Sequence, residues 1–322
     1  MNVKPYELPA DVCKYGALNG RLIRSHKLKA AISAEFKKMM AGQHGEKELY
    51  YHLQYLPYDK FFILHDVRLV EHGRVFQMDV IVFTSGRVFI LEVKNFKGFI
   101  FFNEISQLVH QREDGSEEVY NNPVTQVEKQ KLQLQSWLAQ NGLPAIPIET
   151  FVVIGNSTKF HPTKNQFSKY LHKIIPISNI HSVIVETCNK SNRPILNGNG
   201  IQQLSTTFLS SHIPLERDLL SKYNISKNDL LTGVQCPNCA ALPMKRVHGK
   251  WVCLHCQHEG KMDFVHALND YYLLIDESIS VRQAMEFLHV PSDHVVTYMM
   301  QKAKYKRVGR TAGSRYVLRY VK

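Results

Sequence analysis

Alternating apolar and polar positions dominate the stretch 75–94, which reads VFQMDVIVFTSGRVFILEVK. β-Branched and aromatic residues fill both halves with a Gly between them, which predicts two buried strands joined by a tight turn at Ser85-Gly86. Residues facing each other across such a hairpin have numbers that sum to 171. The preceding stretch 61–70 also alternates and reaches the hairpin through a turn at 71–74, so three consecutive antiparallel strands are expected.

Helical periodicity flanks these strands. Residues 1–20 have little pattern and are expected to lie over the surface, whereas 21–40 form a predicted basic helix whose cations either face solvent or contact phosphate. The sequence Gly42-Gln43-His44-Gly45 is expected to break this helix, and a new helix begins at Gly45 with Glu46 in its first turn.

The second half of this region predicts a further helix and several strands. Pro123 near its start and Gly142 at its end frame a helix, and 149–156 is a short apolar strand. The segments 98–102, 107–111 and 117–121 are expected to be short strands. A helix-strand-strand-strand-helix-strand order is typical of a mixed α/β sandwich.

The predicted register of the central hairpin places Asp79 directly opposite Glu92. Glu92 and Lys94 are two apart on one strand, so they share a face with Asp79 and Gln77. Paired carboxylates repel unless a positive charge lies between them, and Mg²⁺ or Mn²⁺ prefers such oxygen ligands. The alternative is an ordinary E-x-K sequence near a strand end. For Glu46, the alternative is a favourable interaction with the N-terminal dipole of its helix.

Four of the six cysteines are grouped as two C-x2-C pairs separated by thirteen residues. Four thiolates at this spacing are typical of a structural zinc ribbon, with a hairpin turning at His248-Gly249. His255 and His258 are alternative ligands. The predicted zinc ligands are Cys236, Cys239, Cys253 and Cys256.

The C-terminal residues predict two short helices, with Ser280 and Ser292 as their N-caps, followed by a Gly-containing hairpin. This order resembles a winged helix, whose second helix enters a DNA groove. The segment 302–322 contains basic residues and no acidic one, which suits phosphate contacts. A basic protein-interaction module of the same fold is the alternative. The predicted nucleic-acid contacts are Lys302, Lys304, Lys306, Arg307, Arg310 and Arg315.

Composition narrows the class of protein. The chain has 322 residues and a formal charge of +12, which favours a polyanionic partner. It has no apolar run of membrane-spanning length and no signal-peptide pattern, so a soluble cytoplasmic protein is expected. A membrane-surface role is disfavoured because no strongly apolar amphipathic stretch lies outside the predicted core. In a reducing compartment the cysteines are not expected to form disulfides.

A set of short motifs, in this order, resembles the nuclease-related domain (NERD) family, a branch of the PD-(D/E)xK restriction-endonuclease-like superfamily. The motifs are Gly45-Glu46, Gln77-Met78-Asp79, Glu92-Val93-Lys94-Asn95 and Asn122-Pro123-Val124-Thr125-Gln126. The resemblance covers roughly 42–156. Met78 stands where the superfamily has Pro, and it is expected to point away from the face of Asp79.

The resemblance implies a role for each of these positions. Asp79 and Glu92 would hold Mg²⁺ or Mn²⁺, with Glu46 and the carbonyl of Val93 as further ligands. Lys94 would be the catalytic lysine, and Gln126 would reach in from the following helix.

The sequence therefore predicts an α/β protein with a restriction-endonuclease-like mixed sheet flanked by helices, a zinc ribbon and a small winged-helix-like domain. The expected activity is Mg²⁺-dependent hydrolysis of nucleic acid, with DNA as the expected substrate, one structural Zn²⁺ and substrate binding by the C-terminal half. The alternative is a non-catalytic DNA-binding or regulatory protein with a nuclease-like scaffold. The predicted segments are a basic helical lead-in (1–41), the nuclease-like domain (42–160), an extension and connector (161–231), the zinc ribbon (232–262) and the winged-helix-like domain (263–322).

Overall fold

The computed structural model describes residues 1–161, 168–190, 193–310 and 313–321 and divides into two compact units. Unit 1 consists of Met1–Pro9 and Lys38–Leu215, and unit 2 consists of Ala10–Lys37 and Glu216–Lys322. The units cut across the five predicted segments, because the first 41 residues contribute to both. None of the described helices has the length and apolar character needed to cross a membrane.

Helices and strands alternate along the chain. The chain passes from one unit to the other at three points, and one of these, between Lys37 and Lys38, lies within the second helix. The helices are α1 Ala10–Arg21, α2 Lys29–Leu53, α3 Pro123–Gln140, α4 Ile180–Lys190, α5 Gly198–Ser211, α6 Leu219–Tyr223, α7 Phe264–Leu274, α8 Val281–Leu288 and α9 Asp293–Lys302.

The strands of unit 1 are β1 Asn2–Lys4, β2 Phe62–Glu71, β3 Arg74–Phe83, β4 Val88–Lys94, β5 Gly98–Phe102, β6 Leu108–Gln111, β7 Glu117–Tyr120, β8 Ile148–Ile154, β9 Thr158–Phe160 and β10 Ile174–Pro176. The strands of unit 2 are β11 Lys245–Val247, β12 Lys250–Val252, β13 Glu259–Gly260, β14 Ser278–Ser280, β15 Lys306–Val308 and β16 Arg315–Val317.

Unit 1 is built on a six-stranded mixed sheet with the order β1-β2-β3-β4-β8-β10. The predicted antiparallel run β2-β3-β4 is confirmed, and β8 joins β4 in parallel. Leu49 and Leu53 of α2 pack on one face of this sheet, and Leu134 and Trp137 of α3 pack on the other together with Phe208 of α5. The predicted α/β sandwich is therefore confirmed.

Residues 1–20 do not lie over the surface as predicted. Residues of β1 pair in parallel with β2 at the sheet edge, and α1 buries Val12, Tyr15 and Leu18. Both elements are held by partners distant in the sequence, which local periodicity does not reveal.

The predicted helix break at 42–45 is also wrong, because α2 continues through it without interruption. A glycine inside a helix costs about 1 kcal/mol relative to Ala. Gly45 is nevertheless required here, since a Cβ atom at this position would lie 2.7 Å from Cβ of Asn95 and 3.1 Å from Cγ1 of Val93. The glycine therefore lets α2 approach the end of β4 rather than ending the helix.

A smaller four-stranded sheet extends from the main sheet of unit 1, in the order β7-β6-β5-β9. Its strands β5, β6 and β7 match the predicted segments, and β6 and β7 are joined by a turn at Gly115, where φ is +82°. Ile100 and Phe102 of β5 face a core that includes Val127 of α3 and Val152 of β8. This core packs the small sheet against α3 and β8.

Unit 2 has a single core that joins the cysteine-rich segment to the C-terminal helices. Trp251 and Met244 beside the cysteines share this core with Phe264 of α7 and Leu288 of α8. The C-terminal strands form a sheet in the order β14-β16-β15, and Ser280 and Ser292 cap α8 and α9 as predicted.

Arg21, the last residue of α1, is fully buried in unit 2, so neither predicted role for it, solvent exposure or phosphate contact, is correct. Its Nε donates to Oδ2 of Asp270 at 2.7 Å, and its Cζ lies 4.7 Å from the centre of the Phe287 ring. A buried guanidinium needs such a carboxylate partner. The residue is therefore structural.

Candidate active site and candidate metal centre

The central hairpin has the register that its turn predicts. Val80 pairs with Leu91 and Phe83 with Val88, so the numbers of opposed residues sum to 171. The ladder ends at Val80 and Leu91, and the next positions along the two strands are Asp79 and Glu92. There the N–H of Val93 donates to Oδ2 of Asp79 at 2.9 Å. The two predicted acids therefore lie at the point where β3 and β4 separate.

Glu92 is buried, with only 3% of its surface exposed, and it has two polar partners. Nζ of Lys94 donates to Oε1 at 2.6 Å, and Nε2 of Gln130 lies 3.3 Å from Oε2. The same amide nitrogen of Gln130 donates to the carbonyl of Gln77 at 2.8 Å, which ties α3 to β3. Glu92 is thus fixed by one cation and one neutral donor.

Glu46 reaches the same place from α2, where Gly45 allows the close approach to β4. It lies in the middle of a helix of 25 residues, so the alternative of an interaction with the helix N-terminus is excluded. Nε2 of Gln43, one turn earlier, donates to its Oε1 at 2.6 Å. Burial raises the pKa of Glu46 to about 7, and repulsion from Asp66 and Glu92 adds to the shift.

We define the acid cluster as Glu46, Asp66, Asp79 and Glu92. It brings together more acidic than basic groups, which affects the pKa values of its members and of Lys94. Burial, followed by repulsion from Glu92 and Glu46, raises the pKa of Asp79 well above its ordinary value. Burial alone would lower the pKa of Lys94, but the carboxylates of Glu92 and Asp79 outweigh it and raise that pKa. One lysine therefore does not neutralise the acids.

Asp66 of β2 is a carboxylate that the sequence analysis missed. Its φ is +49°, an uncommon backbone conformation inside a strand, and Nε2 of Gln77 donates to its Oδ1 at 2.8 Å. Nζ of Lys4 donates to the carbonyls of His65 and Asp66 at 2.7 and 3.0 Å. Opposed residues of β2 and β3 sum to 145, so the turn at His72-Gly73 could have predicted that Asp66 stands opposite Asp79.

The remaining motif residues Gln126, Val93 and Met78 lie around the acid cluster in different environments. Gln126 is exposed in the first turn of α3, and Gln130, one turn later, is the glutamine that contacts Glu92. Val93 lies between Glu92 and Lys94 on β4, with its N–H on Asp79. Met78 is fully buried in the core, consistent with the prediction that it faces away from Asp79.

The four cysteines form the second candidate centre. Sγ of Cys236 lies 3.6 Å from Sγ of Cys256, and Sγ of Cys239 lies 3.5 Å from Sγ of Cys253. Thiolates around a tetrahedral Zn²⁺, with Zn–S distances of about 2.3 Å, are separated by about 3.8 Å. The cluster is therefore consistent with a structural zinc, and the predicted turn at His248-Gly249 joins β11 to β12 beside it.

The cysteine cluster is the tighter of the two centres. Within the described parts of the chain, no other group of three or more His, Cys, Asp or Glu residues has ligand atoms within 4.8 Å of one another. The acid cluster is more open, as expected for carboxylates that repel each other.

The predicted nucleic-acid contacts of the C-terminal module differ in whether their charged groups already have partners within the protein. Lys302, Lys304, Lys306 and Arg310 are exposed, and none of the ion pairs among the described residues involves them. Nε and Nη2 of Arg307 donate hydrogen bonds to the hydroxyl of Ser314 at 3.0 and 2.7 Å.

Arg315 has intramolecular partners instead. Its guanidinium donates to Oγ and the carbonyl of Ser278 and to Oδ2 of Asp276 at 3.0 Å. Of the predicted nucleic-acid contacts, Arg315 is therefore the one already engaged in holding its own sheet together.

Comparison with known proteins agrees with the geometry of unit 1. Residues 41–155 match the family model described as nuclease-related domain. An uncharacterized protein of Bacillus anthracis is 31% identical over 111 residues, which represent 34% of this chain and 52% of that protein. The chain thus spans about half the length of this curated relative. No solved structure matches the chain. The resemblance carried by the four motifs is confirmed, because residues 41–155 match the model of the nuclease-related domain family.

Proposed function

We propose that this protein is a nuclease that hydrolyses phosphodiester bonds in nucleic acid, with DNA as the expected substrate. The observation that carries the proposal is the convergence of Glu46, Asp79, Glu92 and Lys94 within the nuclease-related domain. These four side chains come from one helix and two strands, and they meet where β3 and β4 separate. Phosphodiester hydrolysis needs such a concentration of charged groups around one reacting phosphate.

The donor set fits a hard divalent cation. All of the acids offer oxygen atoms, and Mg²⁺ or Mn²⁺ takes a few carboxylates with water. Burial, and then repulsion from neighbouring carboxylates, raises the pKa values of Glu46 and Asp79, so a bound cation would stabilise their charged forms. Asp79 and Glu92 would hold the cation, with Glu46 and the carbonyl of Val93 as further ligands. When bound, such a cation lowers the pKa of water and neutralises charge on the scissile phosphate.

The protein's own residues would orient the reacting groups. Lys94 would attract the phosphate and align a water molecule for in-line attack, because its ammonium lies beside Glu92 at the mouth of the site. Gln130 and Gln43 would keep the carboxylates of Glu92 and Glu46 in one orientation through the hydrogen bonds that they donate. Gln126 would contact the substrate from the exposed start of α3.

Unit 2 would bind the substrate. The order of α8, α9 and the β15–β16 hairpin is that of a winged helix, and the four exposed cations Lys302, Lys304, Lys306 and Arg310 suit phosphate contacts. One Zn²⁺ on the four cysteines would stabilise the ribbon. Four thiolates leave no open position, so this metal would be structural.

A non-catalytic nucleic-acid-binding protein is the second candidate. The observation that favours it is the ion pair of Lys94 with Glu92, at 2.6 Å, which already compensates one of the acids. Cleavage by the purified chain distinguishes the two functions.

The test measures cleavage of plasmid DNA, single-stranded DNA and RNA by the full chain, with Mg²⁺ or Mn²⁺ and with a chelator. We expect Asp79→Asn and Lys94→Met to lower the rate about a hundredfold or more while binding persists. Asp59→Asn and Lys129→Met, which remove the same charges elsewhere in unit 1, are the matched controls. Equal cleavage by all variants rejects the assignment of the site. Binding without metal-dependent cleavage supports the second candidate.

A further inference from the structure

A cleft of about 490 Å³ lies on the small sheet of unit 1, directly beyond the candidate active site. It is lined by Lys97, Phe99, Gln111, Arg112 and Lys159, among others. Its volume falls within the range of about 300–1,000 Å³ that is typical of small-ligand sites.

The cleft is close to Lys94 because the chain reaches it within a few residues. Lys97 follows Lys94 by three positions in the chain. Their Cα atoms are therefore at most about 11 Å apart. The partner of Lys94 on the neighbouring strand is Ile154, and the N–H of Gly155 donates to the carbonyl of Lys94 at 3.0 Å. The segments that follow β4 and β8 then pair with each other as β5 and β9, and these two strands form the floor of the cleft.

Phe99 stands at the centre of this floor. It pairs with Gln111 on one side and with Lys159 on the other, so an amide, an aromatic ring and an ammonium form one row across three strands. The ring of Phe99 is 38% exposed, and His161 contacts it edge-on with 5.7 Å between the ring centres. The opposite face of β5, with Ile100 and Phe102, is in the core, so Phe99 is oriented outward by strand alternation.

The charge of the cleft is positive. The one carboxylate in its lining, Glu113, is paired with Lys97 at 3.3 Å on the exposed surface. Arg112 is paired with Glu118. Lys159 is exposed and belongs to none of the ion pairs of the described chain. An exposed aromatic ring between a free ammonium and an amide can stack on a base, attract its phosphate and bond its edge.

We propose that this cleft binds an unpaired nucleotide of the substrate strand, within a few nucleotides of the scissile phosphate. Phe99 stacks on the base and Lys159 attracts the adjacent phosphate. Nε2 of Gln111 donates to Oε1 of Glu117 at 3.1 Å, so Gln111 accepts from the base edge with its amide oxygen. A base inside a duplex has both faces covered by its neighbours, so stacking on Phe99 requires a single-stranded, frayed or flipped nucleotide. The inference rests on the proposed function, since it names the form of substrate that the same site accepts.

The test uses full-length Asp79→Asn protein without divalent cations, so its outcome does not depend on cleavage. Single-stranded oligonucleotides carry 2-aminopurine, whose fluorescence is quenched by stacking, at successive positions. We expect quenching on binding, lost in Phe99→Ala and retained in Phe99→Trp, and an affinity that is roughly 5- to 100-fold lower in Phe99→Ala. Ile105→Ala, at an exposed apolar residue in the turn after β5, is the matched control.

Lys159→Ala is expected to lower the slope of log affinity against log salt by about 0.7, as loss of one phosphate contact on a single strand does. Lys129→Ala, which removes an exposed charge from α3, should leave the slope unchanged. DNA and RNA oligonucleotides distinguish the two sources of the nucleotide.

Absence of quenching with both nucleic acids, or equal quenching by Phe99→Ala, overturns the proposal even where the parent chain cleaves DNA. If quenching depends on Phe99 but the parent chain does not cleave nucleic acid, nucleotide binding in the cleft is supported. In that case only the proposed nuclease activity is rejected.

Discussion

Replacing Glu46 by Gln should stabilise unit 1 at neutral pH in the absence of metal. The pKa of this carboxyl rises from 4.5 to about 7 on folding, chiefly through burial and then through repulsion from Asp66 and Glu92. Each pKa unit corresponds to 1.36 kcal/mol, so the ionised side chain lowers the free energy of unfolding by about 3 kcal/mol. Gln keeps the shape and polarity of the side chain and carries no charge.

The size of this stabilisation depends on pH. A raised folded-state pKa means that the folded chain binds the proton of Glu46 more tightly than the unfolded chain does. The contribution of this proton to the free energy of unfolding is therefore fully present below about pH 4.5. It is lost as the pH rises to about 7 and stays low above that value. Glu46→Gln should therefore match the parent near pH 4.5 and exceed it by about 3 kcal/mol at pH 8.

The assay can observe unit 1 alone because the chain has two tryptophans, one in each unit. With Trp251→Phe as the background, the fluorescence of Trp137 reports urea unfolding of unit 1 only. Glu48→Gln, the same substitution on the same helix outside the acid cluster, is the control. Mg²⁺ should stabilise the parent at pH 8 more than it stabilises Glu46→Gln, because a ligand of the cation has been removed.

A stability difference that is the same at pH 5 and pH 8 would refute the electrostatic explanation. So would destabilisation by Glu46→Gln at pH 8 in the presence of a chelator, since it would mean that the charged form of Glu46 has a favourable partner in the folded state.

Two further outcomes are expected in unit 2. Cys253→Ser should abolish the binding of about one zinc per chain and unfold the ribbon, as measured by metal analysis and by the fluorescence of Trp251, which lies in the shared core; full zinc content with unchanged fluorescence would contradict the site. Replacing Lys302, Lys304 and Lys306 by Ala should lower the salt slope of duplex DNA binding by about 2.7, whereas Arg315→Ala, at a residue engaged with Asp276, should change the slope less.

The register of the central hairpin was predictable because it depends only on local chemistry. Strand alternation and a short turn at Ser85-Gly86 fix which residues face each other, and the ladder follows that rule from Val80 to Phe83. The same rule applied to the turn at His72-Gly73 would have placed Asp66 opposite Asp79. It was missed because Asp66 lies in a strand that otherwise reads as ordinary core.

The course of α2 was not predictable from local propensity. Glycines at 42 and 45 indicate a break, yet the helix continues because Gly45 permits contact with Val93 and Asn95 of β4. Tertiary packing outweighs a cost of about 1 kcal/mol per glycine. Likewise, Gln130 rather than the motif residue Gln126 contacts Glu92, since the distance from the start of α3 to the acid cluster is set by how the helix packs on the sheet.

Local sequence patterns could not predict which segments belong to which unit. Arg21 and Asp270 form a buried ion pair although 249 positions separate them in the sequence. A basic residue in a predicted basic helix was expected to face solvent or phosphate, and the carboxylate of Asp270 on α7 makes its burial possible. The sequence therefore predicted the cysteine hairpin, α8, α9 and the C-terminal hairpin, but neither α7 nor the membership of α1 in unit 2.

The cost of the acid cluster is itself an argument for its function. Glu46 and Asp79 have raised pKa values, so their charged forms destabilise the folded chain at neutral pH. Amides in their place would keep the hydrogen bonds with Gln43 and Val93 partly intact without the repulsion. A protein that only binds nucleic acid gains nothing from a concentration of negative charge, which repels phosphate. The carboxylates would become favourable if they held a divalent cation, which would supply the positive charge that hydrolysis of a phosphodiester needs.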